Sequence, residues 1–181
     1  MSAKLKIPTV IIVLFINTLL LSACGWNPSK PDQERQEAQE TIAAFKKKDP
    51  GIKTFLNDAY GYAVFPSVGK GGWVIGGAYG TGKVFHQGRI IGSTSIVQGT
   101  IGFQLGGQVY SEIVFFKDKQ AFDRFKSGRL EFDAQVSAIA VTLGAAAKAA
   151  YEKGIAVFVM TKGGLMYEAS VGGQSFTFTP E

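Results

Sequence analysis

YAVFPSVGKGGWVIGGAYGTGKVFHQGRIIGSTSIVQGTIGFQLGGQVYSEIVFF, residues 62–116, sets the fold class of this 181-residue chain. β-Branched and aromatic residues are interrupted here by glycines, which is typical of short strands joined by tight turns. The turn signals are Val68–Gly72 (VGKGG), Thr81–Lys83 (TGK) and Gln87–Arg89 (QGR). We therefore predict several antiparallel strands with turns at these three places.

The C-terminal third of the chain continues this pattern after one helix. Asp118–Lys126 places two phenylalanines at helical spacing, and Gly128 ends the helix. The stretch 130–151 predicts a strand followed by a loop or short helix, because its first half is β-branched and its second half is rich in alanine. A hairpin is predicted beyond it, and the alternation continues to the C-terminus, which we expect to pair into the sheet; the hairpin strands are Ile155–Met160 and Leu165–Val171, and the late alternating residues are Phe176 and Phe178.

Two helices are predicted before the strands. Asp32 is a suitable N-cap for a helix that ends in the lysines Lys46, Lys47 and Lys48, whose charges suit a helix C-terminus. A second, short apolar stripe runs from Ile52 to Tyr60. The chain is therefore predicted to be an α+β protein: a curved antiparallel β-sheet or small barrel with N-terminal helices packed on it.

The first 31 residues have the pattern of an exported lipoprotein. Two lysines precede the apolar run Thr9–Leu21, which is too short to span a bilayer but suits a signal peptide. Leu21-Ser22-Ala23-Cys24 resembles the bacterial lipobox, in which the cysteine is acylated, by palmitate-type chains, after cleavage. We predict a signal peptide over 1–23, a tether over 24–31 and one domain over 32–181. The alternative is an ordinary signal peptide followed by a chance cysteine.

These features predict a location in the bacterial cell envelope. Acyl chains on Cys24 would anchor the protein in a membrane. Gly25 follows the cysteine in place of the aspartate that retains lipoproteins at the inner membrane, so the outer membrane is favoured, with the domain facing the periplasm or the surface. Removal of residues 1–23 lowers the formal charge from +5 to +3. That charge is dispersed, and we predict no nucleic-acid partner.

Composition argues against an enzyme. One cysteine and one histidine exclude a multi-histidine or multi-thiolate metal centre within a single chain, and neither a metal nor a cofactor is predicted. Gly77–Lys83 matches the start of a phosphate-binding loop, but Val84 stands where serine or threonine is needed, so a hairpin turn is the preferred interpretation. His86 has no partner at catalytic spacing. We interpret the scattered carboxylates as surface charge and predict no catalytic residue; they are Glu112, Glu131, Asp133 and Glu168.

Basic residues recur beside the turn glycines. If these turns share one end of the sheet, they would form a cationic rim able to bind anionic lipid headgroups, at about 1 kcal/mol per residue close to the membrane. The alternative is that they only keep the turns solvated. The candidate headgroup ligands are Lys46, Lys47, Lys48, Lys70, Lys83, Arg89 and Lys162.

Four blocks together resemble the SYLF domain, a lipid-binding module of eukaryotic actin-patch proteins and bacterial lipoproteins. They are AYGYAVFPSVGKGGWVIGGAYGTGKVF (59–85), GTIGFQLGGQVYSEIVFF (99–116), FDAQVSAIAV (132–141) and AYEKGIAVFVMTKGGLMYEASVGG (150–173). The resemblance covers about residues 40–178. It implies binding of phosphoinositide or other anionic phospholipid, actin binding in the eukaryotic branch, and no catalysis. In an exported protein, phosphatidylglycerol, cardiolipin or lipid A phosphates are the more accessible ligands.

The predicted function is thus a membrane-anchored lipoprotein whose domain binds anionic phospholipid. The alternative is a scaffolding lipoprotein that binds an actin-like or envelope protein along a sheet edge and has no lipid affinity of its own. A barrel enclosing a small apolar ligand is a third interpretation.

Overall fold

A computed structural model describes residues 30–72, 75–101, 107–128, 130, 138–163 and 173–181. The fold belongs to the second of the chain's two units, Gln33–Glu181. The signal peptide, Cys24 and most of the tether lie outside the described residues. Their assignment, and the domain limits drawn from it, stay predictions. Among the helices that the structure describes, none has the length and apolar character needed to cross a membrane.

The two N-terminal helices are present as predicted. Helix α1 is Lys30–Lys48, so it begins two residues before the predicted N-cap, and helix α2 is Ile52–Asp58. Between them, the buried carboxylate of Asp49 accepts hydrogen bonds from the backbone N–H groups of Gly51 (3.1 Å) and Ala146 (2.7 Å). The bond from Ala146 is the main reason that the pKa of Asp49 is below its ordinary value. Asp49 therefore ties the link between the helices to a distant part of the chain.

The strands form one seven-stranded sheet with the order β5-β6-β4-β1-β2-β3-β7. Their bounds are β1 Gly61–Gly72, β2 Ile75–His86, β3 Arg89–Ile101, β4 Gln108–Phe116, β5 Ala138–Ala140, β6 Ile155–Gly163 and β7 Gln174–Pro180. Every adjacent pair is antiparallel except β5 and β6, which are parallel. The predicted α+β class with a curved sheet is confirmed. The closed barrel is not, because β5 and β7 are the two edges of the described pairing.

One predicted turn is correct and two are wrong. Gln87 and Gly88 connect β2 to β3, both with positive φ angles (49° and 76°), as a tight hairpin turn requires. Val68–Gly72 and Thr81–Lys83 instead lie inside β1 and β2. At Gly82 glycine permits a close approach of the strands: a Cβ there would clash with the carbonyl oxygen of Val64, beside the register shift between Val64 and Ser67.

Helix α3, Lys119–Lys126, begins one residue after the predicted start, Asp118, and ends at the predicted residue. Its N-cap Asp118 accepts a hydrogen bond from the backbone N–H of Ala121 at 2.9 Å, and Gly128 follows the helix with a φ of 67°. The short strand β5 and a 3₁₀ turn at Ala146–Lys148 match the predicted strand and short helix. β7 pairs with β3, so the predicted C-terminal pairing is confirmed. The second strand of the predicted hairpin, Leu165–Val171, lies outside the described residues.

Replacement of the Asp118 cap is expected to destabilise the protein. Asp118→Ala leaves the N–H of Ala121 without its acceptor and should cost about 1 kcal/mol in the free energy of unfolding. Asp118→Asn keeps an acceptor oxygen and is the matched control. Urea denaturation measures both variants, and an alanine variant as stable as the asparagine variant would contradict the capping role.

Each face of the sheet packs on its own hydrophobic core. The outer face packs on α1 and α2, with buried residues that include Phe45, Phe55, Phe115 and Phe158. The inner face packs on α3 through Phe116, Phe122, Phe125 and Phe176, among others. The Phe65 ring on β1 lies 6.0 Å from the Phe176 ring on β7, although β2 and β3 lie between these strands in the sheet. The sheet therefore curls towards its inner face.

Candidate functional site

The basic residues named above do not gather into one rim. Arg89 is exposed at the end of the sheet where it pairs with His86. Lys162 is exposed near the opposite end, next to Gly163, which pairs with Val109. The expectation of a shared cationic rim is therefore wrong for these two residues. The remaining exposed candidates form one run at the C-terminal end of α1: Lys46, Lys47 and Lys48.

Lys83 is a buried structural lysine and not a turn residue. It lies within β2, and only 3% of the residue is exposed. Its Nζ lies 2.7 Å from an oxygen of Glu181, 3.1 Å from an oxygen of Glu34 and 2.9 Å from Ser93 Oγ. Burial alone would lower the pKa of Lys83, but the hydrogen bonds and charges of Glu181 and Glu34 outweigh it and raise the pKa. Lys83 thereby joins α1, β2 and the C-terminus.

Lys70 is also buried, but it has no carboxylate beside it in the described part of the chain. It lies within β1 and is 8% exposed. Its pairing partner is Ala78, which belongs to the inner-face core together with Val68, two residues away on the same strand. The Lys70 side chain is therefore on the inner face. Burial lowers the pKa of Lys70, as expected for an ammonium without a neighbouring carboxylate.

Lys70 belongs to a polar row that crosses the inner face. Strand pairing aligns Gln108 with Lys70, Lys70 with Ala78, Ala78 with Gln98, and Gln98 with Gln174. Gln98 and Gln174 are 1% and 0% exposed, so most of this row is removed from water. We call these five residues the inner polar row.

A buried carboxyl group lies next to this row. Glu112 on β4 is 0% exposed, and the Gln174 Nε2 donates to its Oε2 at 3.1 Å. The same nitrogen lies 3.5 Å from the hydroxyl oxygen of Tyr110. Glu112 Oε1 has no hydrogen-bond partner in the described structure. Burial raises the pKa of Glu112 to about 8, so the group is mostly protonated at neutral pH.

The interpretation of Glu112 as a surface charge is therefore wrong. The signal that could have corrected it is alternation: Tyr110, Glu112, Val114 and Phe116 share one face of β4, and three of these four are core residue types. The pairing with Gln174, 62 residues later, leaves no mark in the local sequence. Glu131, Asp133 and Glu168 lie outside the described residues.

His86 has a structural environment. Its Nδ1 lies 2.7 Å from the carbonyl oxygen of Tyr60, and its ring packs against those of Tyr60 and Phe122 at centroid distances of 4.5 and 5.8 Å. The stretch Gly77–Lys83 lies within strand β2 and does not open a helix, so it is neither a phosphate-binding loop nor the hairpin turn preferred above. In the described ranges, no cluster of three histidine, cysteine or acidic side chains could hold a metal ion.

These positions give the inner face a defined binding chemistry. Among the described residues of the inner polar row, Lys70 is the one charged group, the glutamines are neutral, and the adjoining carboxyl group of Glu112 is mostly protonated, so an acidic group would meet one positive charge. The arrangement is suited to binding.

Known proteins similar to this chain include one family and one bacterial relative. The model of the family Ysc84, described as "Las17-binding protein actin regulator", matches residues 97–181. Beta cell expansion factor A of Aeromonas veronii is 27% identical over 142 residues, which cover 77% of this chain and 53% of that protein. The chain thus spans about half the length of this relative. The predicted recognition is confirmed: residues 97–181 match the model of the Ysc84, or SYLF, family.

Proposed function

We propose that this protein is a lipid-anchored envelope protein whose SYLF-family domain binds membranes rich in anionic phospholipid and performs no chemistry. The observation that carries the proposal is the exposed run Lys46–Lys48 at the end of α1. Long lysine side chains at a helix end can reach one surface together, and each contributes about 1 kcal/mol near an anionic bilayer. Family membership supports the same function.

Acylation of Cys24 remains part of the proposal. An acyl anchor would hold the domain at the membrane continuously, so modest electrostatic attraction would be enough to orient it. The envelope location, with the outer membrane favoured, rests on the same sequence features. Mass spectrometry of the protein purified from bacterial membranes tests it, since a diacylglyceryl-modified cysteine has a defined mass.

Vesicle binding of residues 25–181 without acylation tests the function itself. These residues retain every helix and strand described, and circular dichroism checks that they fold. We expect co-sedimentation with phosphatidylglycerol vesicles but not with phosphatidylcholine vesicles, and a strong decrease between 50 mM and 500 mM salt, because salt screens exposed charges. Reversing Lys46, Lys47 and Lys48 to glutamate should reduce binding about 10-fold or more.

A charge-matched control separates the cluster from net charge. Lys53→Glu, Lys117→Glu and Lys148→Glu change the total charge equally but are spread over exposed sites. If this variant loses as much binding as the cluster variant, the role given to Lys46–Lys48 is wrong. If the wild-type protein ignores both vesicle types, intrinsic lipid binding is wrong.

A protein partner is the second candidate function. The outer face carries exposed Tyr79 (59%) and Val97 (52%), which are cross-strand partners, and Val109 (40%) lies in the same row through Gly69. Adjacent exposed apolar residues are typical of protein-binding surfaces. Retention of an actin-like or envelope protein by the wild type but not by Tyr79→Lys, in a protein that ignores vesicles, would favour this alternative.

A further inference from the structure

We propose that the inner polar row binds one singly charged acidic group, a phosphodiester or a carboxylate, through Lys70. The proposal rests on the proposed lipid-binding function and names a second, more selective site within it. The cluster Lys46–Lys48 would attract the anionic surface, and the inner polar row would bind an individual acidic group. The two sites lie on different elements, so their contributions can be separated by mutation.

Lys70 is buried without a carboxylate partner among the described residues, which is unusual for a lysine. Lysine is almost never buried without a partner, because removing an ammonium from water is costly. Lys83, on the neighbouring strand, follows this rule with two carboxylates. Lys70 has comparable burial but no ion pair with any described carboxylate. An exchangeable anion would supply the missing charge.

The residues that pair with Lys70 in the row are uncharged. Lys70 is flanked along the row by Gln108 on β4 and, beyond Ala78, by Gln98 and Gln174 on β3 and β7. These side-chain amides are polar but add no charge beside the ammonium. Ala78, the smallest side chain of the row, lies directly opposite Lys70 and adds no charge beside the ammonium.

The single charge of Lys70 indicates a ligand with a single negative charge. One lysine neutralises one negative charge, and a second negative charge would remain uncompensated in a buried position. Glu112, protonated at neutral pH, adds no opposing charge next to the row. A monoanion such as the phosphodiester of phosphatidylglycerol fits, and a polyphosphorylated inositol headgroup does not. This selectivity differs from the phosphoinositide preference that the family resemblance implies.

Titration with monomeric ligands tests the site without a bilayer. The probes are dihexanoyl phosphatidylglycerol below its micelle concentration, octanoate, dimethyl phosphate and inositol hexakisphosphate, measured by calorimetry on residues 25–181. We expect binding of the lipid or of octanoate, and no saturable binding of inositol hexakisphosphate that depends on Lys70. Binding of dimethyl phosphate alone would identify a soluble phosphodiester as the source of the ligand. No Lys70-dependent binding of the three singly acidic probes would overturn the proposal.

Lys70→Met supplies the decisive variant, because it keeps the length of the side chain and removes the charge. We expect affinity for the monomeric ligand to fall about 10- to 100-fold, as for loss of one charge-assisted hydrogen bond. Without ligand, the variant should melt at a higher temperature than the wild type, since an unpaired buried charge has been removed. A lower melting temperature with unchanged ligand affinity would show that Lys70 is merely structural.

Failure of this inference is distinguishable from failure of the proposed function. The Lys46–Lys48 charge-reversal variant should lose vesicle binding but keep its affinity for monomeric ligand. Vesicle binding that persists in Lys70→Met, with no monomer binding by the wild type, would leave the membrane function standing and remove the second site. Binding of monomeric ligand by a wild-type protein that does not bind vesicles would support the second site and contradict the membrane function.

Discussion

At pH 8 the Glu112→Gln variant is expected to be more stable to unfolding than the wild-type protein, by on the order of 4 kcal/mol. At pH 4 the two proteins should have nearly equal stability. The difference arises because Glu112 is wholly buried and its pKa rises from an ordinary 4.5 to about 8. Glutamine keeps the shape and the acceptor for Gln174 but has no proton to lose.

The direction follows from proton linkage. Below pH 4.5, Glu112 is protonated in both the folded and the unfolded chain, so it contributes no pH dependence to the free energy of unfolding. Between 4.5 and about 8, the unfolded chain loses the proton while the folded protein keeps it, and stability falls as pH rises. Above about 8 both forms are ionised and the decline ends.

Urea denaturation at intervals from pH 4 to pH 9 measures this decline. The exposed Glu37→Gln is the matched control, since it removes an acidic group from a solvated helix surface. Its stability should follow the wild-type curve, whereas that of Glu112→Gln should be flatter between pH 5 and pH 8. Parallel curves for the wild type and Glu112→Gln would show that Glu112 is ionised in the folded protein.

The sequence could predict the parts of the fold that depend on neighbouring residues. Helix α3 could be predicted completely, because Asp118 and Gly128 act on their immediate neighbours. The turn at Gln87–Gly88 could be predicted for the same reason. Gly82 of TGK led to a wrong turn prediction, because a glycine required for close packing against another strand has the same local pattern as a turn glycine. No such contact explains Gly69 and Gly71 of VGKGG, where a Cβ would meet open space.

Most of the candidate site could not be predicted from the sequence, because it depends on contacts between residues that are far apart in the chain. Lys70 and Lys83 both follow a glycine and precede an uncharged residue, yet Lys83 has two carboxylate partners and Lys70 has none among the residues that the structure describes. The partners of Lys83, Glu34 and Glu181, lie 49 residues before it and 98 after it. The packing of α1 on the sheet and the pairing of the C-terminal strand bring these residues together.

Lys83→Met should destabilise the protein by about 2–3 kcal/mol, in contrast to Lys70→Met. Removing one partner of a buried ion pair leaves the other charges uncompensated, but Glu34 and Glu181 are 37% and 40% exposed and can regain water. That exposure places the expected loss below the 3–5 kcal/mol typical of fully buried pairs. Part of the lost stability comes from weaker attachment of α1 and the C-terminus, because both are bound to the sheet through the Lys83 ammonium.

A double-mutant cycle between Lys83→Met and Glu34→Gln isolates the contact with α1. We expect a coupling of about 1–2 kcal/mol by chemical denaturation, and a smaller loss for Glu34→Gln alone. Lys70 and Lys83 have the same residue type, neighbouring strands and similar burial, so methionine changes the packing of both in similar ways. Opposite signs of the two stability changes would therefore isolate the effect of the carboxylate partners. If both variants were destabilised equally, packing would determine the result, and the argument that Lys70 awaits an anion would lose its basis.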